Sequence, residues 1–547
     1  MPGGAIIQGT ADTSRVEAPV TVRAYLICAF AAFGGIFFGY DTGWMSGVLG
    51  MPYFIHQYTG KPIPTSTPYP KDFAISSRDQ SLVSSILSAG TFFGAVIAGD
   101  LADFFGRRMT IIAGCLIFIV GCILETASTG IGLMCAGRVI CGLGVGFISA
   151  IVILYMSEIA PKKVRGALVA GYQFCITVGI LFANCAVYST KDRLDTGSYR
   201  IPVAVQFLWA IILGVGLVIL PESPRFFVKK GKLEAAASAL ARVRGQPIDS
   251  EYIREELAEI IANYEYEQQV IPQTSYMGGW SNCFKGSIFK GNSNSRRTMV
   301  GILLQMFQQF TGINFILYFG VVFFESLGTI QNTFLIQLIT TLVNVCSTPV
   351  SFYIVEKFGR RSILIIGGSC MVVSQFIVGI IGVTAGRPEL NNQPATKAMI
   401  AFICLNISAF AMTWGPAAWI VVGEIFPLPI RSRGVGLSTS SNWFWNCIIT
   451  VITPYLVGSD PGDANLGAKV FFLWGSLCFL SVSFAFFFVP EMKGLSLEQI
   501  DKMLEETTPL KSGRWKPSTT FASEMGLTEK GATFEEVEQR LGSVSKH

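Results

Sequence analysis

Charged side chains are scarce in this chain. Asp, Glu, Lys and Arg make up 14% of its 547 residues, hydrophobic residues make up 51%, and the mean hydropathy is +0.51. Globular domains average about 25% charged residues, so this composition excludes a single soluble domain. The net charge is only +5, and no Lys/Arg tract of the kind that binds nucleic acid occurs. We therefore expect no nucleic-acid partner.

Histidine is almost absent, and cysteine follows no ligand pattern. The two histidines are His56 and His547, and none of the 13 cysteines forms a CxxC pair. Most cysteines lie inside apolar runs, as small hydrophobic residues do. No Ser/His/Asp set and no Walker A loop occurs. We therefore expect no enzyme, no cofactor and no metal, and without a nucleotide-binding domain any driving force must come from a gradient.

Long apolar runs dominate the chain instead. A helix needs about 20 apolar residues to cross a bilayer, and twelve runs of that kind occur. They lie near 24–49, 80–101, 109–128, 131–156, 166–188, 201–220, 298–324, 330–355, 362–384, 396–423, 434–457 and 467–489. These runs predict a multi-pass membrane protein in contact with the lipid bilayer.

The few charges concentrate in the links between runs and predict the orientation. The links between runs 2–3, 4–5, 8–9 and 10–11 contain Arg107, Arg108, Lys162, Lys163, Arg165, Lys357, Arg360, Arg361, Arg431 and Arg433. Because short basic links stay on the cytosolic side, we expect both termini in the cytosol, with the hydrophilic insert at 226–296. Within this insert, the patterns at 232–245 and 249–268 predict short amphipathic helices.

Short motifs recur in the two halves of the chain. The FGRR motif at 105–108 returns at 358–361, the Glu-Ile pair at 158–159 returns at 424–425, and Pro-Glu at 221–222 returns at 490–491. The spacing is kept to within small changes in loop length. Two similar six-helix halves are the architecture of transporters that rock around a central site.

Three side-chain amides interrupt the seventh run. Gln308, Gln309 and Asn314 lie beside Thr311-Gly312, where a helix bends at little cost. Amides in hydrocarbon are costly unless they meet partners or water. Hydrogen bonding between helices is one interpretation. The clustering favours a polar cavity, because an amide donates and accepts in one plane, which suits neighbouring hydroxyls of a sugar or polyol.

Together these motifs resemble one known family. The GRR turns, the glutamates that end runs 4 and 10, PESPR at 221–225, QQFTGIN at 308–314 and PE-x-KG at 490–494 are similar to the sugar porter family of the major facilitator superfamily. The resemblance extends from about residue 23 to 507, and FGYDTG at 38–43 is most like fungal monosaccharide (hexose) transporters. It implies an all-α membrane protein with twelve transmembrane helices in two six-helix pseudo-symmetric halves, the major facilitator fold.

This fold implies five segments along the chain. They are a cytosolic N-terminal tail at 1–22, a six-helix half at 23–225, a cytosolic linker at 226–296, a second six-helix half at 297–490 and a cytosolic C-terminal tail at 491–547. In the family, the two halves give a central site access to each side of the membrane in turn.

The resemblance also implies which residues bind the substrate. The candidates are Phe38, Gln173, Gln308, Gln309, Asn314, Tyr318, Asn344, Trp419 and Asn442. Amides would bind hydroxyls, and an aromatic face would pack on the C–H groups of a sugar ring. For Trp419, Trp443 and Trp445 the alternative is packing against lipid or helices, which we expect for two of the three. Phe319 replaces the second tyrosine of the family motif, so a hydroxyl is lost there.

Asp41 and Arg138 place opposite charges inside runs 1 and 4. Ionisable residues within membrane segments usually indicate function. In proton-coupled members that this chain resembles, an Asp here gains and loses a proton, and an Arg here is its partner. Burial favours the protonated carboxyl and a nearby guanidinium favours the ionised one, so a small rearrangement can move the proton. The alternative is a permanent structural ion pair.

The resemblance further implies a charged network at the cytosolic helix ends, which holds one state closed. Its candidate members are Asp103, Arg107, Arg108, Glu158, Arg165, Glu222, Glu356, Arg360, Arg361, Glu424, Arg431 and Arg433. Acidic partners in both halves favour such a network over topology alone, which needs only cations. Pro416 beside Gly415 predicts a break in the tenth helix.

These expectations define a secondary transporter. We expect it to import a monosaccharide, glucose and related hexoses first, by alternating access with proton symport, as a monomer in the plasma membrane. Two alternatives stay open: a facilitative hexose uniporter, and a sugar sensor that resembles a transporter. Sensors of that kind usually have a longer C-terminal tail than the one after residue 490, which ranks sensing lower. The sequence does not distinguish glucose from xylose, galactose or a polyol.

Overall fold

Helices form most of the described part of the chain. A computed structural model describes residues 6–14, 19–64, 73, 75–270, 276–326, 333–387, 390, 392–457, 463–528, 532–533 and 535–539. The first residues of the predicted eighth run, 330–332, and parts of both predicted tails lie outside these ranges.

The first half contains six spans in chain order. Its helices are α1 (Val22–Ala32), α2 (Gly34–Val48), α3 (Pro52–Thr59), α4 (Ser77–Phe104), α5 (Arg107–Ala127), α6 (Ile131–Ile159), α7 (Arg165–Thr190) and α8 (Gly197–Ile219). The first two form one span, and α3 is a short helix in the loop that follows it. Four helices then precede the second half: α9 (Pro224–Lys229), α10 (Leu233–Arg244), α11 (Glu251–Val270) and α12 (Tyr276–Cys283).

The second half repeats this plan with more breaks. Its helices are α13 (Asn294–Phe310), α14 (Ile313–Ser326), α15 (Thr333–Ser347), α16 (Val350–Phe358), α17 (Arg360–Val383), α18 (Gln393–Met412), α19 (Trp414–Glu424), α20 (Arg431–Val457) and α21 (Val470–Phe488). Two tail helices follow, α22 (Leu497–Glu506) and α23 (Phe521–Glu524). A two-residue antiparallel ladder joins β1 (Ile6–Ile7) to β2 (Ala532–Thr533), so the two terminal segments meet.

Eleven spans pass a test of length and apolarity within the described ranges. Nine do so outright, with α1–α2 and α18–α19 each counted once, and the bent pairs α13–α14 and α15–α16 add two. The twelfth, α20, has the length, but Ser, Thr and Asn fill its first half. With α20 included, the predicted fold class is confirmed. The predicted amphipathic segments correspond to α10 and α11.

Local sequence fixes where several helices begin. The Oγ atoms of Ser76, Ser293 and Ser496 accept backbone N–H groups in the first turns of α4, α13 and α22. At Ser496 the side chain of Gln499 returns a bond, which completes a capping box. Such caps satisfy N–H groups that have no partner within the helix.

Two helix breaks occur where the sequence predicts them. Gly312 separates α13 from α14 at a bend of 47°, with φ at +76°, a conformation that glycine adopts without strain. Thr413 interrupts the tenth span, three residues before Pro416. Proline donates no N–H, and its ring crowds the carbonyl four residues earlier, which is that of Met412.

The two halves build the same turn at their paired motifs. Glu222 accepts the first two backbone N–H groups of α5, both at 3.0 Å. Glu491 accepts the first two of α17, at 2.8 and 3.1 Å. A carboxylate is stabilised at a helix N-terminus by the unpaired N–H groups and by the helix dipole. The repeat seen in the sequence is therefore also a repeat of geometry.

Candidate functional site

A cavity lies between the two halves. Its wall contains all nine predicted binding residues, namely Phe38, Gln173, Gln308, Gln309, Asn314, Tyr318, Asn344, Trp419 and Asn442. They come from α2 and α7 in the first half and from α13, α14, α15, α19 and α20 in the second. The break at Gly312 turns the α14 residues back toward the same space as the α13 amides.

Gln308 ties the broken tenth span to the cavity. Its Nε2 donates to the main-chain carbonyls of Trp414 and Gly415, both at 3.0 Å. Its Oε1 accepts from Asn442 Nδ2 at 2.8 Å, and the same Nδ2 lies 2.7 Å from Gln305 Oε1. These contacts orient Gln308 and Asn442 before any ligand binds.

A second amide cluster connects α13, α14 and α20. Asn314 Nδ2 donates to Gln309 Oε1, and Asn446 Nδ2 lies 3.3 Å from the same oxygen. Asn446 Nδ2 also lies 3.5 Å from the hydroxyl of Tyr318. Ser88 of α4 donates to Asn446 Oδ1 at 2.8 Å, so the cluster extends into the first half.

Two residues of the cavity wall each have a side-chain amide oxygen without a hydrogen-bond partner among the described residues. Asn344 Oδ1 and Asn442 Oδ1 are buried and have no hydrogen-bond partner among the described residues. A buried acceptor without a donor costs about 1–3 kcal/mol. A ligand hydroxyl that donates to these oxygens would recover that free energy.

Aromatic side chains supply the flat walls. Trp419 lines the cavity and packs edge-on against Tyr172, with ring centroids 5.8 Å apart. Trp443 instead packs against Phe38, with ring centroids 4.6 Å apart. Trp445 packs against Phe310 at 5.0 Å. One tryptophan therefore lies in the cavity wall, and the other two occupy packing positions.

Sequence reasoning missed the rest of this wall, which is apolar except for one threonine. The additional lining residues are Thr42, Ile176, Ile180, Ile313, Leu317 and Phe410. Ile176 and Ile180 follow Gln173 by three and seven residues, so helical spacing alone places them on its face. That signal was present in the sequence.

Asp41 and Arg138 meet beside the cavity as predicted partners. Arg138 Nη1 lies 3.2 Å from Asp41 Oδ1, and both side chains are almost fully buried. Trp44 Nε1 donates to the same oxygen at 3.3 Å, and its ring lies under the guanidinium at 5.3 Å. The next residue, Thr42, is in the cavity wall. A change in the cavity can therefore reach the ion pair through one peptide unit.

Two buried ion pairs of the predicted charged network each lie within one half of the molecule. Arg107 makes two bonds to Glu158, at 2.9 and 3.0 Å, and Arg360 makes two to Glu424, at 3.0 and 3.2 Å. All four side chains are almost completely buried. Paired N–H···O bonds of this kind fix geometry as well as charge. The two pairs occupy equivalent positions in the repeat.

Other contacts cross between the halves at the same ends. Ser432 Oγ donates to Asp103 Oδ1 at 2.6 Å and lies 3.2 Å from Arg107 Nη2. Arg433 Nε donates to Asp100 at 2.8 Å. These bonds hold α4 against α20. Sequence reasoning missed Asp100 as a member.

Other predicted members have different partners. Glu356 accepts the backbone N–H of Ala167 at 3.0 Å. The remaining arginines donate to main-chain carbonyls: Arg108 to Leu220, Arg165 to Leu495, Arg361 to Phe486 and Arg431 to Phe426. These ends of the helices are thus tied together by carbonyls as well as carboxylates.

Tail helix α22 bridges the two halves. Its Glu498 pairs with Arg225 at 2.8 Å, in the segment that follows α8, and its Asp501 pairs with Arg297 of α13. Burial alone would raise the pKa of Glu498, but the Arg225 guanidinium holds it at about 2. We call α22 with these two ion pairs the clasp.

These features define a class of protein. Two six-helix halves enclose a polar cavity, and the helix ends that carry the basic links are fastened together around it. This is a membrane carrier with the major facilitator fold.

Comparison with known proteins identifies the family. Residues 27–504 match the family described as sugar (and other) transporter. The chain is 46% identical over 502 residues to the major facilitator-type transporter ecdD of Aspergillus rugulosus, with 90% of each chain covered. It therefore belongs to the sugar transporter family, as its motifs predicted, and members of this family are carriers and not enzymes.

Other relatives and one solved structure agree with this assignment. The probable glucose transporter rco-3 of Neurospora crassa is 39% identical, with 93% of this chain and 84% of that one covered. The high glucose sensor RGT2 of Saccharomyces cerevisiae is also 39% identical, and the alignment covers 90% of this chain but 62% of RGT2. The structure of the proton:xylose symporter XylE bound to 6-bromo-6-deoxy-D-glucose superposes with a TM-score of 0.73 at 25% identity, covering 88% of this chain and 99% of that one.

Proposed function

We propose that this protein imports a monosaccharide, glucose and related hexoses first, by alternating access coupled to proton symport. One observation carries the proposal: nine residues from both halves, each predicted from motifs, line a single cavity between those halves. A ligand held by both halves favours the state in which they close around it.

The chemistry of the cavity supports a sugar as the ligand. Asn344 Oδ1 and Asn442 Oδ1 can accept hydroxyl protons, and Trp419 offers an apolar face to ring C–H groups. The names of rco-3 and XylE, which refer to glucose and xylose, support the same substrate class.

Coupling rests on the buried pair of Asp41 and Arg138. The pair is 3.2 Å apart in a membrane-spanning part of the first half, and its neighbour Thr42 lines the cavity. An ionisable pair at this depth is costly and is usually kept for a function such as proton transfer. The relation to the proton symporter XylE supports this assignment.

The remaining parts of the proposal concern placement. The positive-inside rule puts the basic links, α9–α12 and both termini in the cytosol. We propose the plasma membrane as the location, a monomer as the functional unit, and the segment boundaries at 23–225 and 297–490 for the two halves. The fastened helix ends then face the cytosol, so the network of charged residues acts as the cytosolic gate.

Uptake of labelled glucose by a yeast strain that lacks its own hexose transporters tests the proposal. Symport predicts accumulation above the external concentration and its collapse with a protonophore. Uptake that only equilibrates, and is indifferent to the protonophore, would show a facilitative uniporter. If the protein is a symporter, Asp41→Asn should abolish accumulation. If it is a uniporter, the same substitution should leave the protein still equilibrating glucose.

The binding site has its own prediction. Asn314→Ala and Gln309→Ala should each abolish uptake without loss of surface expression, because each removes half of the hydrogen bond that joins α13 to α14 at the cavity. Thr126→Ala, which removes a hydroxyl bonded within α5, is the matched control. Normal transport by both amide variants would show that this cavity is not the sugar site.

A sugar sensor is a second candidate, favoured by the 39% identity with RGT2. Sensing predicts that sugar stabilises the purified protein while uptake stays at the level of the empty strain. Uptake that saturates with sugar, and that Asn314→Ala removes, would exclude a purely sensory role.

A further inference from the structure

A second carboxyl group lies beside the Asp41–Arg138 pair. Glu125 of α5 is completely buried, and its Oε1 lies 3.9 Å from Arg138 Nη1, the same atom that contacts Asp41. Glu125 was not among the residues that the motifs singled out. It lies in the last turn of α5, on the side opposite the basic links.

The local charges do not balance if both acids are ionised. Two carboxylates and one guanidinium leave a net negative charge inside the membrane, which is expensive at any such depth. The cluster becomes neutral when the two carboxyls together hold one proton. Arg138 is closer to Asp41 than to Glu125 by 0.7 Å, comparing 3.2 with 3.9 Å. The proton in this state therefore belongs on Glu125.

Gln206 on α8 has a free acceptor that a protonated Glu125 could use. Gln206 Nε2 lies 3.2 Å from Glu125 Oε2. Gln206 Oε1 is buried and has no hydrogen-bond partner among the described residues. A carboxylic acid can donate to that oxygen, whereas a carboxylate cannot. A protonated Glu125 that donated to Gln206 Oε1 would add a second bond to the one from Gln206 Nε2.

Other titratable groups around Glu125 come from several helices. They are Cys122 on α5, Asp41 on α2, Arg138 and Cys141 on α6, Tyr58 on α3, and Tyr199 and Arg200 on α8. Of these, Arg138 is the cation that contacts a carboxylate here. Tyr58 and Tyr199 bond Ser128, just past the end of α5, and so cover Glu125 from the loop side.

We propose that Glu125 is a second proton-bearing carboxyl of the coupling site, sharing Arg138 with Asp41. The inference rests on the proposed symport. Protonation joins one external proton to a carboxylate oxygen and breaks no other bond. When Arg138 moves from Asp41 to Glu125, the proton passes from Glu125 to Asp41, so one O–H bond breaks and one forms. Asp41 then releases this proton to the cytosolic side as Arg138 returns to it, and Glu125 takes up the next external proton, which restores the starting state.

Infrared spectroscopy of the purified full-length protein tests the protonation by itself. A protonated carboxyl gives a C=O stretching band that carboxylates lack. The wild type near neutral pH should show such a band that disappears in Glu125→Gln and persists in the neighbouring control Thr126→Ala. An unchanged spectrum in Glu125→Gln overturns the proposal, whatever the protein transports.

Proteoliposomes test the role in coupling. Exchange of sugar at equal pH needs no net proton movement, whereas accumulation under a pH gradient does. Glu125→Gln should exchange glucose within about twofold of the wild type, yet its accumulation should fall to the equilibrium level. Glu125→Asp, which keeps the acid, should restore accumulation. Loss of exchange in both variants would show a purely structural role and overturn the proposal.

The same assays separate two failures. A wild type that equilibrates glucose but never accumulates it refutes the symport, and with it the coupling role of Glu125. A wild type that accumulates, together with Glu125→Gln that accumulates equally, refutes the role of Glu125 alone and leaves the symport standing.

Discussion

Of the two ion pairs of the clasp, the one between Glu498 and Arg225 should contribute strongly to holding α22 against the helix ends. Glu498 of α22 makes two bonds to the Arg225 guanidinium, at 2.8 and 3.2 Å, and both side chains are nearly inaccessible to solvent. Arg225 also donates to the main-chain carbonyl of Glu158 at 2.5 Å. Glu498→Gln keeps the shape of the side chain and removes its charge, so the buried Arg225 loses the carboxylate that it bonds directly.

The free energy that this ion pair contributes to the docking of α22 follows from the pKa of Glu498. Burial disfavours its carboxylate, yet Arg225 holds the pKa at about 2 against an ordinary value of 4.5. A shift of roughly 2.5 units corresponds to about 3 kcal/mol. Because the pKa is lowered on docking, this stabilisation is complete above about pH 4.5 and is lost as the pH falls through about 2. At neutral pH the full amount should be present.

Hydrogen–deuterium exchange of residues 497–506 measures the effect in the intact protein. A loss of about 3 kcal/mol should accelerate exchange in α22 roughly a hundredfold, since about 1.4 kcal/mol is a factor of ten. Glu505→Gln is the matched control on the same helix, because Glu505 is exposed and its hydrogen-bond partners among the described residues are the neutral Tyr266 and Asn292.

Two further results would bear on the reasoning. Replacing Arg225 and Glu498 together by methionine should restore much of the protection, because no charge is then left unpaired. Exchange of α22 in Glu498→Gln within twofold of the wild type would refute the pair as the fastening of the clasp.

Two other predictions concern packing and pH. Gly39→Ala should lower the free energy of unfolding by about 1–3 kcal/mol and therefore the melting temperature, because the added Cβ would lie 1.9 Å from the Ile176 carbonyl oxygen of α7. Gly132→Ala is the control, since an added Cβ there would have no neighbouring atom within 4 Å and should leave the melting temperature unchanged. Glu259 of α11 accepts the N–H groups that begin α23, and burial raises its pKa from 4.5 to about 7. Docking of α23 should therefore weaken as the pH rises from about 4.5 through 7. A fluorophore on α23 should report this change, and Glu259→Gln should remove it; a pH-independent signal in the wild type would contradict it.

Much of the candidate site could be predicted from the sequence, because the residue patterns that indicate it are local. The amides of α13, the bend at Gly312 and the break before Pro416 all follow from residue types at short spacing. The resemblance to sugar porters then supplied partners from other helices, and all nine line one cavity. Side chains from such distant segments cannot be brought together by periodicity.

The fold was predictable for the same reason. Run length fixed the number of spans, and repeated motifs fixed the division into two halves, because bilayer thickness and helix rise leave little choice. Of the twelve predicted runs, 434–457 is the one whose helix falls short in apolarity within the described ranges. The cause is the Ser, Thr and Asn residues in the first half of α20.

Only the tertiary structure decided which charges share a neighbourhood. Glu125 and Arg138 lie on separate helices, and nothing in the sequence shows that both face Asp41. Glu498 meets Arg225 from far along the chain. Local sequence determines where a helix begins, bends and ends, whereas the rotation of each helix about its axis is set by packing against its neighbours. That rotation decides which buried groups meet, and it placed one guanidinium between two acids.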